Sequence, residues 1–172
     1  NEASELASTI AVVQTEVEKF FGQGGILLER CVSKARHIEV QLVCTPSSAH
    51  AVGIRDCSIQ RKNQKVIEEA PSPILPADVG ELLMRSSEQL AELCGYRGVA
   101  TAEFLYEPAS GTTTFLEVNS RLQVEHTITE AITGADLVQA QIAIGLGWEW
   151  TPPSTLVNGH AIELRVNAED PE

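Results

Sequence analysis

Apolar and polar residues alternate along this chain with two different periods, and the changes of period divide it into elements. Ser4 followed by Leu6, Ile10, Val13, Val17, Phe20 and Phe21 predicts an amphipathic helix, closed by Gly22 and the Gly24-Gly25 pair. Gly22-Gln-Gly-Gly25 follows a helix rather than opening one, so it reads as a stop and turn, not as a phosphate loop. Residues 26–32, 36–44 and 49–55 read as strands. In the second of these, Ile38, Val40 and Leu42 share one face and His37, Glu39 and Gln41 the other. Residues 55–65 are rich in donors and poor in apolar groups, which suits either a plain polar loop or a loop folded over an anion. After a Pro-punctuated link over 71–76, residues 77–94 predict a helix with Val79, Leu82, Leu83, Leu90 and Leu93 on one side and Gly95 at its stop. Residues 101–106 and 112–118 predict two strands joined by a turn over 107–111, where Pro, Ser and Gly supply turn chemistry. Thr127 and Glu130 form a T-x-x-E capping box, residues 137–144 read as a helix, and residues 159–167 as a last strand. That strand would turn His160, Ile162, Leu164 and Val166 one way and Ala161, Glu163, Arg165 and Asn167 the other. The expected fold class is α+β: a mixed, largely antiparallel sheet flanked by helices.

Chemistry concentrates in Phe115-Leu-Glu-Val-Asn-Ser-Arg-Leu-Gln-Val-Glu-His126. If this run is extended, Glu117, Asn119, Arg121, Gln123 and Glu125 point one way, and Leu116, Val118, Leu122 and Val124 point the other and can be buried. A turn centred near Ser110 would set Glu103 opposite Glu117, whereas an asymmetric turn would keep the two apart. Opposed like charges destabilise a sheet by about 0.2–1 kcal/mol unless neutralised. Paired carboxylates with Asn119 nearby suit a hard cation such as Mg²⁺ or Mn²⁺.

Composition narrows the class. A chain of 172 residues with 43% hydrophobic and 21% charged residues can bury a real core. The net charge of -12 argues against nucleic acid or an anionic membrane as the main partner. Basic residues nevertheless cluster at Arg30, Lys34, Arg36, Arg55, Arg61, Lys62 and Lys65, which marks either a phosphate or carboxylate site or a solvated face. Cys31, Cys44, Cys57 and Cys94 form no C-x-x-C and read as free thiols of a reducing compartment. With no span-length apolar run or signal-peptide pattern, the expected location is the cytoplasm, or a mitochondrial matrix after removal of a transit sequence.

The chain resembles the ATP-grasp region of biotin carboxylases, the ATP-using component of biotin-dependent carboxylases. The resemblance is carried by Arg36-His-Ile-Glu-Val-Gln41, Arg55-Asp-Cys-Ser-Ile-Gln60, Gln64-Lys-Val-Ile-Glu-Glu-Ala-Pro71, Gly95-Tyr-Arg-Gly98, the 115–126 run and residues 160–171, in that order. It implies a reaction of MgATP and bicarbonate through carboxyphosphate to carboxylate biotin on a carrier domain. It implies Glu103, Glu117 and Asn119 as the Mg²⁺ or Mn²⁺ site, the two glutamates also facing the nucleotide. Arg121, Gln123 and the Val124 backbone would hold bicarbonate, Glu125 would act as general base, and Arg165 would stabilise the enolate-like oxygen of biotin. Glu29 and Val32 would meet adenine, and His37, Gln60, Asn63 and Lys65 match nucleotide-side positions.

Asn63 stands where many members carry His, and Ile54 where Glu commonly precedes Arg-Asp-Cys-Ser. By resemblance, residues 1–150 belong to an ATP-grasp domain whose Gly-rich loop would lie upstream, and residues 151–172 begin the C-terminal domain. A fragment of that kind is expected not to turn over ATP alone. Implied partners are the biotinylated carrier, a carboxyltransferase domain or subunit, and a second copy in a homo-oligomer. The acceptor could be an acyl-CoA, pyruvate or urea. Two other readings stand beside this one: a carbamoyl-phosphate-synthase-type ATP-grasp ligase, and a non-catalytic module of a large carboxylase.

Overall fold

The computed structural model describes residues 3–153 and 157–168. The chain divides into two units, Asn1–Ser33 and Lys34–Glu172. In the first, a 3₁₀ turn (Ala3–Glu5) leads into α1 (Leu6–Phe21). Gly22 ends it with φ +80°, and its N–H bonds the Glu18 carbonyl at 3.1 Å, as its glycine predicts. Residues 26–32, expected as a strand, form none. Alternation alone does not make a strand, because the ladder needs a partner and no described segment pairs with this one.

The second unit is built on a six-stranded sheet in the order β5-β4-β1-β2-β3-β6, antiparallel at every pairing. Its strands are β1 (Arg36–Cys44), β2 (Ala49–Arg61), β3 (Gln64–Ala70), β4 (Gly98–Glu107), β5 (Thr112–Asn119) and β6 (Ala161–Leu164). Helix α2 (Ala77–Leu93) covers one face over Ile38, Val40, Leu42, Ala100, Ala102, Phe104 and Tyr106. On the other face lie α3 (His126–Thr133) and α4 (Leu137–Gly145).

Four sequence expectations change here. The expected polar loop over 55–65 is a continuation of β2, a tight Lys62-Asn63 turn with φ of +52° and +62°, and the start of β3. Both turn residues have positive φ, the geometry that suits a two-residue hairpin. The buried stripe of α2 is Gly80, Leu83, Ser87 and Ala91, while Leu82 and Leu93 face outward. Residues i, i+3 and i+4 share a helix face, and Leu82 lies on a different one. The capping box does not form. Glu125 takes the N-cap position of α3, Thr127 donates to Glu163, and Glu130 instead accepts the Leu137 N–H at 2.6 Å, next to the Asp136 cap of α4. β6 is shorter than the 159–167 run, and Ile162, Leu164 and Val166 are exposed.

β5 also departs from expectation. It ends at Asn119, so the polar alternation is real for Glu117 and Asn119 but not beyond. Leu116, Val118 and Val124 are exposed, and only Leu122 packs into the core beside α4. An edge strand has no neighbouring strand to cover it, so period-two patterning does not by itself bury a face.

Candidate active site

The second face of β1 changes character along its length. Val43 lies in the apolar core under α4; Gln41 and Glu39 are fully buried polar residues; His37 is partly open. Register extends this gradient across the sheet. Arg55, Glu39, Glu103 and Glu117 are successive cross-strand neighbours on β2, β1, β4 and β5, and Gln41, Thr101 and Asn119 form the adjacent row. The hairpin expectation therefore holds: Glu103 pairs with Glu117, next to a bulge between Glu103 and Phe104.

Three carboxylates in one row need cations. Arg55, fully buried, supplies the first. Its guanidinium donates to Glu39 at 3.0 Å, Gln41 at 2.7 Å, Thr129 at 2.9 Å, Thr101 at 3.2 Å and Gln123 at 3.4 Å, which uses all five N–H groups. Thr129 can reach it because β2 has Gly53 below α3, where an added Cβ would lie 3.3 Å from Thr129 Cγ2. Lys65 supplies the second cation. Its Nζ donates to Glu39, to Glu103 at 3.0 Å and to Glu125 at 2.8 Å. Burial alone would lower its pKa, but the charge of Glu39 and the bonds to Glu125 and Glu39 outweigh this and raise it.

His37 joins the row through a fixed tautomer. Gln60 Nε2 donates to the Cys57 carbonyl and faces His37 Nδ1, both at 2.9 Å. Nδ1 must then accept, so Nε2 carries the proton and donates to Glu103 Oε2 at 2.7 Å. The Glu103 carboxyl is held down to about 2: burial would raise it, but the bonds from His37 and Lys65 and the Lys65 charge prevail. With an ordinary value of 4.5, its stabilising contribution is complete above that pH and is lost as pH falls from 4.5 to about 2. Thermal unfolding across a pH series should show the midpoint falling through this window, and Glu103→Gln should lessen the fall. An unchanged acid limb in that variant would contradict the assignment.

Asn119 Nδ2 donates to Glu103 Oε1 at 3.0 Å and to Glu117 Oε1 at 3.2 Å, so one oxygen of each carboxylate converges on a single point. This all-oxygen donor set, with the Asn119 carbonyl alongside, fits Mg²⁺ or Mn²⁺. Glu117→Gln should weaken Mn²⁺ binding about tenfold or more, equivalent to about 1.4 kcal/mol. Electron paramagnetic resonance titration checks this, and unchanged affinity would move the metal elsewhere.

Past β5 the chain loops inward and places the rest. The His126 ring donates through Nδ1 to the Gln123 carbonyl at 2.7 Å and pins the turn. Gln123 and Glu125 are thereby buried, though not by strand alternation, and Arg121 stays exposed with its Nη2 at 3.4 Å from Asn119. Gln123 donates to Glu103 at 3.1 Å. Glu125 is gripped from two sides, Oε1 by Lys65 and Oε2 by Arg165 Nη2 at 3.0 Å. Burial would raise its pKa, but the Lys65 bond, a backbone bond and the Lys65 and Arg55 charges lower it, so it is ionised. Arg165 follows β6, its N–H on the Val66 carbonyl at 2.9 Å and its Nε on Glu68 Oε1 at 2.7 Å. A cleft of about 450 Å³ is lined by Asn63, Lys65, Arg121, Gln123, Val124, Glu125 and Arg165. Glu29 and Val32 belong to the first unit, Glu29 exposed and Val32 half-buried.

Sequence reasoning missed Glu39, Gln41, Thr101 and Thr129 as parts of the site, and gave Arg55 only as one of a basic cluster that marked either an anion site or a solvated face. The signal was the polar face of residues 37–41, which becomes legible once β1 is known to be central. The four cysteines are free; Cys44 and Cys57 are buried, and burial pushes the Cys44 thiol up to about 11.

Residues 1–151 match the family described as carbamoyl-phosphate synthase L chain, ATP binding domain. The chain is 42% identical over 171 residues to a biotin carboxylase of Nostoc sp., covering 98% of this chain and 38% of the relative. It is 46% identical over 162 residues to urea amidolyase of Saccharomyces cerevisiae, covering 92% of this chain and 9% of that protein. Among solved structures, the biotin carboxylase domain dimer of Hydrogenobacter thermophilus 2-oxoglutarate carboxylase, in complex with MgADP, ADP and bicarbonate, superposes with a TM-score of 0.90 at 39% identity, over 98% of this chain and 38% of that one. The chain thus spans well under half the length of these relatives. It belongs to the carbamoyl-phosphate synthase L chain ATP-binding domain family, and its ATP-grasp fold is the one found in biotin carboxylases.

Proposed function

We propose that this chain carries the metal, bicarbonate and base machinery of a biotin carboxylase, which carboxylates biotin from MgATP and bicarbonate through carboxyphosphate within a larger biotin-dependent carboxylase. The observation that carries this reading is the ionised Glu125, held between Lys65 and Arg165 at the wall of a cleft that also presents Arg121 and Gln123. Planar guanidinium and amide groups suit a planar oxyanion. Arg121, Gln123 and the Val124 backbone bind bicarbonate in that cleft, and Glu125 takes its proton. An anion arriving there shares Lys65 and Arg165 with Glu125. That weakens the grip on the carboxylate and makes it a better base than it is at rest. Glu103, Glu117 and Asn119 hold the divalent cation, which supplies charge neutralisation at the nucleotide phosphates when bound. His37, Gln60, Asn63 and Lys65 lie toward the nucleotide. Arg165 then faces the oxyanion of biotin delivered by a biotinylated carrier domain, with a carboxyltransferase and a second copy as further partners. The four free thiols support a reducing compartment, either cytosol or matrix.

The test is ADP release by the full-length protein with free biotin as acceptor. Release that requires bicarbonate and is accelerated by biotin supports the reading. Release driven instead by bicarbonate and ammonia would replace it with a carbamoyl-phosphate-type ligase, and no release in either assay would leave a non-catalytic module.

A further inference from the structure

Glu68, on β3, is fully buried, and its Oε2 has no hydrogen-bond partner. A sealed carboxylate oxygen without a donor is a destabilising feature that native proteins seldom retain without a use. The donor that could satisfy it is adjacent. Arg165 gives its Nε to Glu68 Oε1 at 2.7 Å, and an arginine that pairs with a carboxylate commonly adds a second, parallel bond to the other oxygen. Here that second bond is not made, and Nη2 instead bonds Glu125 Oε2 at 3.0 Å. Nη1 bonds no described residue, and Arg165 lines the cleft. The two bonds, Nε to Glu68 and Nη2 to Glu125, together fix the orientation of the guanidinium. Burial and the charges of Glu163 and Glu125 push the Glu68 carboxyl up, while Arg165 opposes them. The arrangement favours the placement of Arg165 over the stability of Glu68.

We propose that Glu68 is a positioning residue for the carboxylation of biotin: it holds the Arg165 guanidinium in the plane where one edge meets Glu125 and the other faces the substrate cleft. It touches no substrate itself, and it acts only through Arg165. This rests on the reading of Arg165 as the group that meets biotin.

The test uses the full-length protein carrying Glu68→Gln, Arg165→Met or both. With free biotin, Glu68→Gln lowers biotin-dependent ATP cleavage about tenfold or more, a larger loss than it causes in bicarbonate-dependent ATP cleavage without biotin, which Arg165 reaches only through its bond to Glu125. In the Arg165→Met background, Glu68→Gln adds no further loss, the non-additivity expected of one unit. The melting temperature of Glu68→Gln is equal to or above that of the parent, because the buried charge is gone. An additive loss, an equal loss of the biotin-independent reaction or a lower melting temperature would overturn the proposal and make Glu68 a structural residue. A readout independent of turnover is the Arg165 Nε–H resonance, slow to exchange in the parent and fast in Glu68→Gln. Slow exchange in both refutes the positioning role. If the parent shows slow exchange that the variant loses, yet no biotin-dependent reaction, the functional reading fails and the positioning of Arg165 stands.

Discussion

Replacing Arg55 with Leu should destabilise the protein by about 3–5 kcal/mol, the cost of breaking a buried ion pair from one side. The substitution leaves the fully buried Glu39 with Lys65 as its remaining cation and removes donors from Gln41, Thr101, Thr129 and Gln123 at once. Those acceptors lie on β1, β4, α3 and the loop between β5 and α3, so the loss reaches every element around the site. Urea-induced unfolding measures it. The double variant Arg55→Leu, Glu39→Leu should recover part of the loss, because a buried charge left alone costs more than an apolar pair of similar volume. A single-variant loss below about 1 kcal/mol would mean that water or Lys65 satisfies Glu39, and the network would not be cooperative.

Glu125→Gln should lower bicarbonate-dependent ATP cleavage by about 10²–10⁴-fold, the usual contribution of a general base. Gln keeps the shape, and its carbonyl can accept from Lys65 or from Arg165, so what is removed is the ability to take a proton together with one of the two cation contacts. Mn²⁺ affinity should not change, because the proposed metal set of Glu103, Glu117 and Asn119 does not include Glu125. Steady-state ADP release read alongside Mn²⁺ titration separates the two roles. A rate within about tenfold of the parent would assign the proton to another acceptor.

Where local rules and tertiary context agree, the sequence was legible. β1 alternates cleanly, and the turn before β5 contains Pro, Ser and Gly, with Gly111 at φ +69°, so the hairpin was legible; its turn alone would set Glu103 opposite Leu116, and the bulge between Glu103 and Phe104 brings Glu117 into place. Glu125 and Gln123 were identified for the wrong geometric reason: they reach the site through a loop pinned by His126, not through strand alternation. Arg55 stood between an anion site and a solvated face because a charged residue in a polar stretch often meets water, and only its buried acceptors on β1, β4, α3 and the loop before α3 decide it. The same stretch hid the continuation of β2, since its polar residues face partners rather than water. Thr127 and Glu130 satisfied a local capping pattern, but Glu125 took the N-cap position and Glu130 found the next helix. Short-range patterns predict the bonds a residue could make, while competition for partners decides which it does.

The five-fold occupancy of the Arg55 guanidinium has a consequence for descent. Positions 39, 41, 55, 101 and 129 sit on four separate elements, yet each holds a bond that one side chain supplies. A lineage that lost the arginine would have to exchange the glutamate and mute four further acceptors, Gln123 among them, to stay folded. Drift at these positions should therefore arrive in sets, while the cleft residues above them vary singly with the ligand they serve.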